Sequence, residues 1–140
     1  MWKIIIIIII LAGLFIIDSI FFAKKFVAID KRWKDYKVIN YTLNKKQYKF
    51  LVADTSEKWV KGLMDVRKLD NLDGMIFIFP SSEPHSFWNE NTYVDLDLYW
   101  INKGKVVGTS FLPSIEKSRD HVVVTSPQAV DTVIEFIKKK

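Results

Sequence analysis

The sequence predicts a mainly β domain of the α+β class, small and barrel-like with one short helix, preceded by a single N-terminal transmembrane helix. Three observations predict it. Residues 4–23 are apolar except at Gly13, Asp18 and Ser19, and Lys3 and Lys24-Lys25 flank them, which is the length and charge frame of a membrane span. Beyond Tyr36 the apolar residues fall into short alternating runs separated by turn formers, the period of strands. The hydrophobic fraction of 49% averages an isoleucine-rich segment with one domain of ordinary composition.

At 1.5 Å per residue, residues 4–23 reach about 30 Å, the thickness of a hydrocarbon core. In lipid a lone segment satisfies its backbone only as a helix. Asp18 lies near the Lys24 end, where water and basic side chains solvate it. A cleaved signal peptide is the rival reading, but Phe21, two places before Ala23, spoils the small-residue cleavage pattern. The basic residues after the span put the domain in the cytoplasm on the positive-inside rule, whereas a domain close behind a signal-like anchor is commonly exported. The residues themselves leave both sides open. The organisation expected is an anchor over 1–23, a juxtamembrane linker or helix over 24–36 whose Lys and Arg side chains contact lipid headgroups, and the β domain over 37–140.

Within the domain, Val38–Leu43 and Gln47–Ala53 flank a hairpin turn at 44–46. Asp54 with Glu57 three places on has the spacing of a capping box. Trp59, Val60, Leu63 and Met64 give the following helix an apolar face, and Gly62 is placed to end it. Met75–Phe79 is an apolar strand stopped by Pro80, and Phe87–Thr92 and Val94–Ile101 read as two more. Asn102-Lys103-Gly104 turns the chain into Lys105–Leu112. His121–Thr125 is a further strand, while residues 129–137 fit either a capped amphipathic helix or a strand. Seven or eight short strands joined by tight turns argue for a closed or nearly closed barrel.

Composition excludes several chemistries. Without cysteine the chain has no disulfide framework, thiolate zinc site or thiol nucleophile. His85 and His121 lack metal-ligand spacing, Ser86 lacks a nucleophile-elbow frame, and no phosphate-binding glycine motif occurs. No cofactor or metal is expected. The net charge of +5 is spread along the chain without a recognition helix or an aromatic–basic sheet pattern, so a membrane lipid surface, not nucleic acid, is the expected partner.

The densest polar cluster, Asn91, Thr92, Asp95 and Asp97, follows the aromatic pair Phe87-Trp88. On an extended strand Asp95 and Asp97 share one face, opposite Leu96, Leu98 and Trp100. They suit proton sharing, binding of a hard cation, or pairing with Arg67; the bland alternative is Asp97 held by Arg67 or by backbone donors, with Asp95 solvated. Trp88 with Asn91 and Thr92 offers a stacking face beside amide and hydroxyl groups, as a sugar or small polar ligand requires, or is a core tryptophan with a polar edge. The candidate ligand-binding residues are therefore Arg67, Trp88, Asn91, Thr92 and Asp97, with no catalytic residue assigned. Three functions follow: a membrane-anchored binding or accessory domain, a hydrolase using Asp97 or Asp95 as general base, and an envelope-assembly interaction protein.

Many ordered blocks in this chain resemble the domain of unknown function 192 family: Thr55-x-Glu57, Gly62-Leu63-Met64, Arg67, Leu69, the run from Gly74 to Phe79, Phe87-Trp88, Asn91-Thr92, Leu96-Asp97, Ile101, Gly104, Val106, Pro113, Ser126-Pro127, Ala129 and Val133-Ile134-Glu135. The resemblance covers about residues 38–137. It implies a mostly β, barrel-type domain, often exported or attached to a membrane, which favours an extracytoplasmic domain and a strand over 130–137. It supplies no reaction. The chain departs from the family's usual pattern in three places: Asn89-Glu90 replaces Met-Lys in the block after Trp88, Asp95 replaces the proline before Leu-Asp, and the extension after Glu135, with its glycine turn and last strand, is missing.

Overall fold

The computed structural model describes residues 31–139. The chain divides into two units, Met1–Asp35 and Tyr36–Lys140. The span expected over residues 4–23 lies outside the described residues, among which no helix is long and apolar enough to cross a membrane. Of the juxtamembrane stretch, Lys31–Trp33 forms one 3-10 turn.

The second unit is built on strands β1 (Val38–Leu43), β2 (Lys46–Ala53), β3 (Gly74–Glu83), β4 (Ser86–Trp88), β5 (Leu96–Asn102), β6 (Lys105–Leu112), β7 (Val123–Thr125) and β8 (Val130–Ile137), with two short helices, α1 (Ser56–Lys61) and α2 (Ile115–Ser118). Six strands form one sheet in the order β1-β2-β3-β8-β5-β6, and β4 pairs with β7 in a separate ribbon. Two hairpins follow from local chemistry. Asn44 and Lys45, with φ of 50° and 65°, join β1 to β2, and Lys103 and Gly104, with φ of 49° and 74°, join β5 to β6. Paired positive φ values twist in the same sense as the strands they connect.

The sheet is open, which corrects the expected closed barrel. β1 and β6 occupy its two ends, and two of the strands counted toward closure, β4 and β7, bond each other instead. The reason is that both faces of the sheet are apolar, whereas a barrel buries only one. On one face Phe50, Val52, Ile76, Ile101 and Ile134 form a buried cluster packed against Tyr48, Tyr99 and Phe136. Phe136 meets Phe50 edge to face at 5.0 Å and Tyr48 at 4.8 Å. On the other face lie Leu51, Met75, Phe77, Leu98, Trp100 and Val133, each at most 1% exposed.

The chain reaches this second face by a crossover. β2 and β3 are parallel, and a parallel pair cannot be joined by a tight turn, so α1 and the loop behind it must pass over the sheet. Thr55, not Asp54, caps α1 by accepting from the Lys58 amide at 3.5 Å, while Asp54 pairs with the Lys58 ammonium at 2.9 Å. Gly62 ends α1 with φ 46°, as its position in the sequence predicts.

β8 resolves the ambiguity of residues 129–137 in favour of strand. It bonds β3 on one side and β5 on the other, so its β-branched residues fill a central, two-sided position. The approach of β3 is tight enough that a Cβ on Gly74 would overlap the Glu135 carbonyl oxygen. β4 is shorter than predicted, since Asn89–Val94 leaves the ladder, and α2 has no counterpart in the sequence reading.

Candidate functional site

Between the α1 crossover, β3, β4 and β8 lies a cavity of about 360 Å³. Its walls are aromatic because α1, β3 and β4 each direct an aromatic residue to this face, while β8 adds Glu135. Trp59 comes from α1, Phe77 and Phe79 from β3, Phe87 and Trp88 from β4. Their geometry is interlocked: Trp59 lies 5.2 Å from Phe79, and Phe77 meets Phe87 at 4.8 Å and 89°. The Trp59 indole N–H is already bonded to the Ala53 carbonyl at 3.0 Å. Gly62 keeps the wall thin where its Cα faces the Phe77 ring.

Two of the polar groups on this lining carry a buried atom without a partner. Glu135 is 4% exposed and sits on β8 between Met75 of β3 and Leu98 of β5, so both cross-strand neighbours are apolar. Its Oε2 is buried without a hydrogen-bond partner. Burial pushes its carboxyl up to about 8, because an unpaired charge in low dielectric is costly. His85, just before β4, stacks on Phe79 with centroids 3.6 Å apart, and its Nε2 is also buried without a partner. Burial lowers its pKa, against a smaller opposing pull from Glu83, so the ring is neutral near pH 7. Its backbone is fixed by an amide donating to Ser126 Oγ at 3.1 Å and a carbonyl accepting from the Ser126 amide at 2.9 Å.

The residues singled out from sequence separate into two groups. Trp88, 43% exposed, and buried Thr92 line the cavity; the Thr92 hydroxyl donates to the Glu90 carbonyl at 3.2 Å. Arg67, Asn91 and Asp97 lie elsewhere. Arg67 is exposed, donates to Glu116 at 2.9 Å and covers the Tyr93 ring at 4.2 Å. Asn91 is exposed with φ 50°, and its carbonyl accepts from the Asp65 amide at 2.8 Å. Asp97 points to the sheet face opposite the cavity and pairs with Lys138 at 3.4 Å.

The bland reading of the two aspartates is therefore inverted. Asp95 is the bonded one, accepting from the Ser114 amide at 2.9 Å and the Lys117 ammonium at 2.8 Å. Burial pushes its carboxyl up, but the Lys117 and Ser114 donors outweigh that and hold it below the ordinary aspartate range. Neither aspartate is paired with Arg67. Glu135 and His85 carry the cavity's polar chemistry, and sequence reasoning missed both roles. The one available signal was a glutamate inside the otherwise strand-forming run from Val130 to Ile137. Among the described residues no cluster of three metal-ligating side chains occurs.

Residues 38–139 match the model of a family, DUF192, described as Uncharacterized ACR. Two solved structures share the fold. One is a protein of unknown function from Novosphingobium aromaticivorans DSM 12444, 23% identical, with a TM-score of 0.59 and 73% of each chain covered. The other is described as a candidate transcription regulator from Sinorhizobium meliloti 1021, 24% identical, with a TM-score of 0.56 over 73% of this chain and 79% of that one. At these identities the likeness concerns fold alone. No curated protein matches the chain.

Proposed function

The chain belongs to the DUF192 family, and we propose that it is a membrane-anchored binding domain that takes a small polar ligand into the aromatic cavity, with the domain on the extracytoplasmic side. The observation that carries this reading is the coincidence of two partnerless buried polar atoms, Glu135 Oε2 and His85 Nε2, on the wall of one cavity. Leaving such an atom unsatisfied costs about 1–3 kcal/mol, and complementary groups on a ligand would offset it. Ring faces for stacking with few, well-placed polar groups are what small-ligand sites use. A sugar or another small molecule with polar edges suits that lining. In this reading Trp88 and Thr92 belong to the site, and Arg67, Asn91 and Asp97 hold the surrounding loops and sheet edge.

Trp59 and Trp88 make the site its own reporter. Titration of the protein with a panel of monosaccharides and small polar compounds, followed by tryptophan fluorescence, is expected to find ligands whose affinity falls at least about tenfold in Trp88→Ala and in Glu135→Gln. The same ligands should bind Asp97→Asn unchanged. Ligands lost in Asp97→Asn and kept in both cavity variants would move the site to the other face of the sheet.

A hydrolase is the second reading, favoured by one observation. Glu135 is a carboxyl in a cavity with a raised pKa, the property required of a general acid or base near neutrality. Asp95 and Asp97, the bases expected from sequence, are engaged by Lys117 and Lys138.

A further inference from the structure

We propose that the cavity is a cation cage, in which Glu135 supplies the charge and the rings of Trp59, Phe77, Phe79, Phe87 and Trp88 supply the faces for an alkylammonium or quaternary ammonium group. This deepens the small-ligand reading and rests on it. Three observations support it. The Glu135 carboxyl has apolar neighbours on both adjacent strands and an oxygen with no partner in the protein, so a cation that pairs with its carboxylate form has to come from outside. The faces of aromatic rings carry negative potential and attract cations, by about 2 kcal/mol or more when the contact is desolvated, and five such rings line this one space. The remaining titratable groups do not oppose a cation. Lys61 of α1 and Glu83 of β3 are both exposed on the lining and offset each other, while His85, ahead of β4, is kept neutral by burial; β5 and β8 add no other charge to the lining.

Binding is proton-linked. Below the carboxyl's own pKa, entry of the ammonium group sends the carboxyl proton to solvent and the carboxylate pairs with the cation, so one proton is released for each cation bound; above it the carboxylate is already formed and none is released. Burial pushes Glu135 up to about 8 in the empty protein, so cation affinity rises with pH until that value is passed. A permanently charged ligand shows this rise without titrating itself.

The test uses the full chain in phosphatidylglycerol nanodiscs, with choline chloride and its uncharged isostere 3,3-dimethylbutan-1-ol as probes, by calorimetry at about pH 6 and about pH 9. Choline should bind at least about tenfold tighter at the higher pH, and at the lower pH, where the carboxyl starts protonated, its binding should release a proton, seen as a dependence of the heat on the buffer's ionisation enthalpy. The isostere should bind more weakly at the higher pH than choline does. Glu135→Gln should remove both the preference and the pH dependence, and Asp97→Asn should keep them. In phosphatidylcholine nanodiscs, loss of free-choline binding identifies a lipid headgroup as the source of the cation, and retained binding identifies a free molecule; both support the cage. Isostere binding equal to or tighter than choline at the higher pH overturns the cage and leaves the small-ligand pocket standing. Failure of both probes to bind also overturns the cage.

Discussion

Glu135 is the residue on which the molecule's behaviour turns, because a carboxyl buried between Met75 and Leu98 keeps its proton to about pH 8. The native state thus holds a proton that the unfolded chain gives up near the ordinary value of 4.5. Its stabilising effect is complete below that value and is lost as pH rises toward 8. Urea denaturation at about pH 6 and about pH 9 should show wild type losing roughly 2 to 4 kcal/mol between the two, and Glu135→Gln losing much less. His85 acts in the opposite direction. Its pKa is lowered by burial, so its effect is present above the ordinary histidine value of 6.5 and is lost as pH falls below it. His85→Gln should flatten the acid side of the same profile. At this scale Trp88 and Thr92, which line the cavity, were legible as candidates, because an aromatic next to hydrogen-bonding side chains is a local pattern. Glu135 and His85 were not, because their meaning depends on which strands and rings surround them.

Among the elements, the loop from Pro113 to Val122 makes four hydrogen bonds with one buried side chain outside it. Asn89 is fully buried; its amide nitrogen donates to the Pro113 carbonyl at 3.1 Å, Ser118 Oγ at 2.9 Å and the Asp120 carbonyl at 3.2 Å, and its Oδ1 accepts from the Val122 amide at 2.9 Å. Replacing it removes four hydrogen bonds at once, three of them to backbone groups. Asn89→Ala should therefore cost about 2–4 kcal/mol in chemical denaturation and should speed amide exchange at Val122 first. The equivalent substitution at neighbouring Glu90, which is exposed, should stay within about 0.5 kcal/mol of wild type. A second element depends on a missing side chain. Gly74→Ala would push β3 off β8 at Glu135 and should leave little soluble protein, because the β3–β8 ladder is central to the sheet. The two hairpins were legible in the sequence, since a two-residue turn with a glycine or asparagine is self-contained. β4 and β7 were legible as strands, at Phe87–Thr92 and His121–Thr125, but not in length: each has three residues, because the ends of strands so short are set by their partners. α2 was missed because its four residues, Ile115–Ser118, carry no apolar period.

On the scale of the whole molecule, the open sheet explains why a chain with barrel-like strand spacing does not close. The inner strands put apolar residues onto both faces, and each face has its own packing: Tyr41, Tyr48, Tyr99 and Phe136 against the buried cluster on one side, the α1 crossover and β4 around the cavity on the other. The strand count was legible from turn spacing, but the pairing order was not, because the β2–β3 parallel contact joins segments separated by a helix. The eight strands, the two short helices and the cavity all belong to the second unit, Tyr36–Lys140. The apolar run over residues 4–23, bounded by Lys3 and by Lys24-Lys25, is therefore expected to act as a tether only. If it does, the full chain should sediment with membranes and resist carbonate extraction, and replacing three of its central isoleucines by lysine should release a folded domain into the soluble fraction, since each lysine at mid-bilayer costs about 2.5–3.5 kcal/mol. With the domain exported, a protease added outside intact cells or spheroplasts should degrade it while a cytoplasmic marker survives. Protection of the domain under those conditions would place it in the cytoplasm, the side that the lysines and arginine after the span favour on charge alone. Recovery of the full chain in the soluble fraction would remove the tether, and with it the lipid surface as a partner, while leaving the Glu135 cavity to be judged by its ligand.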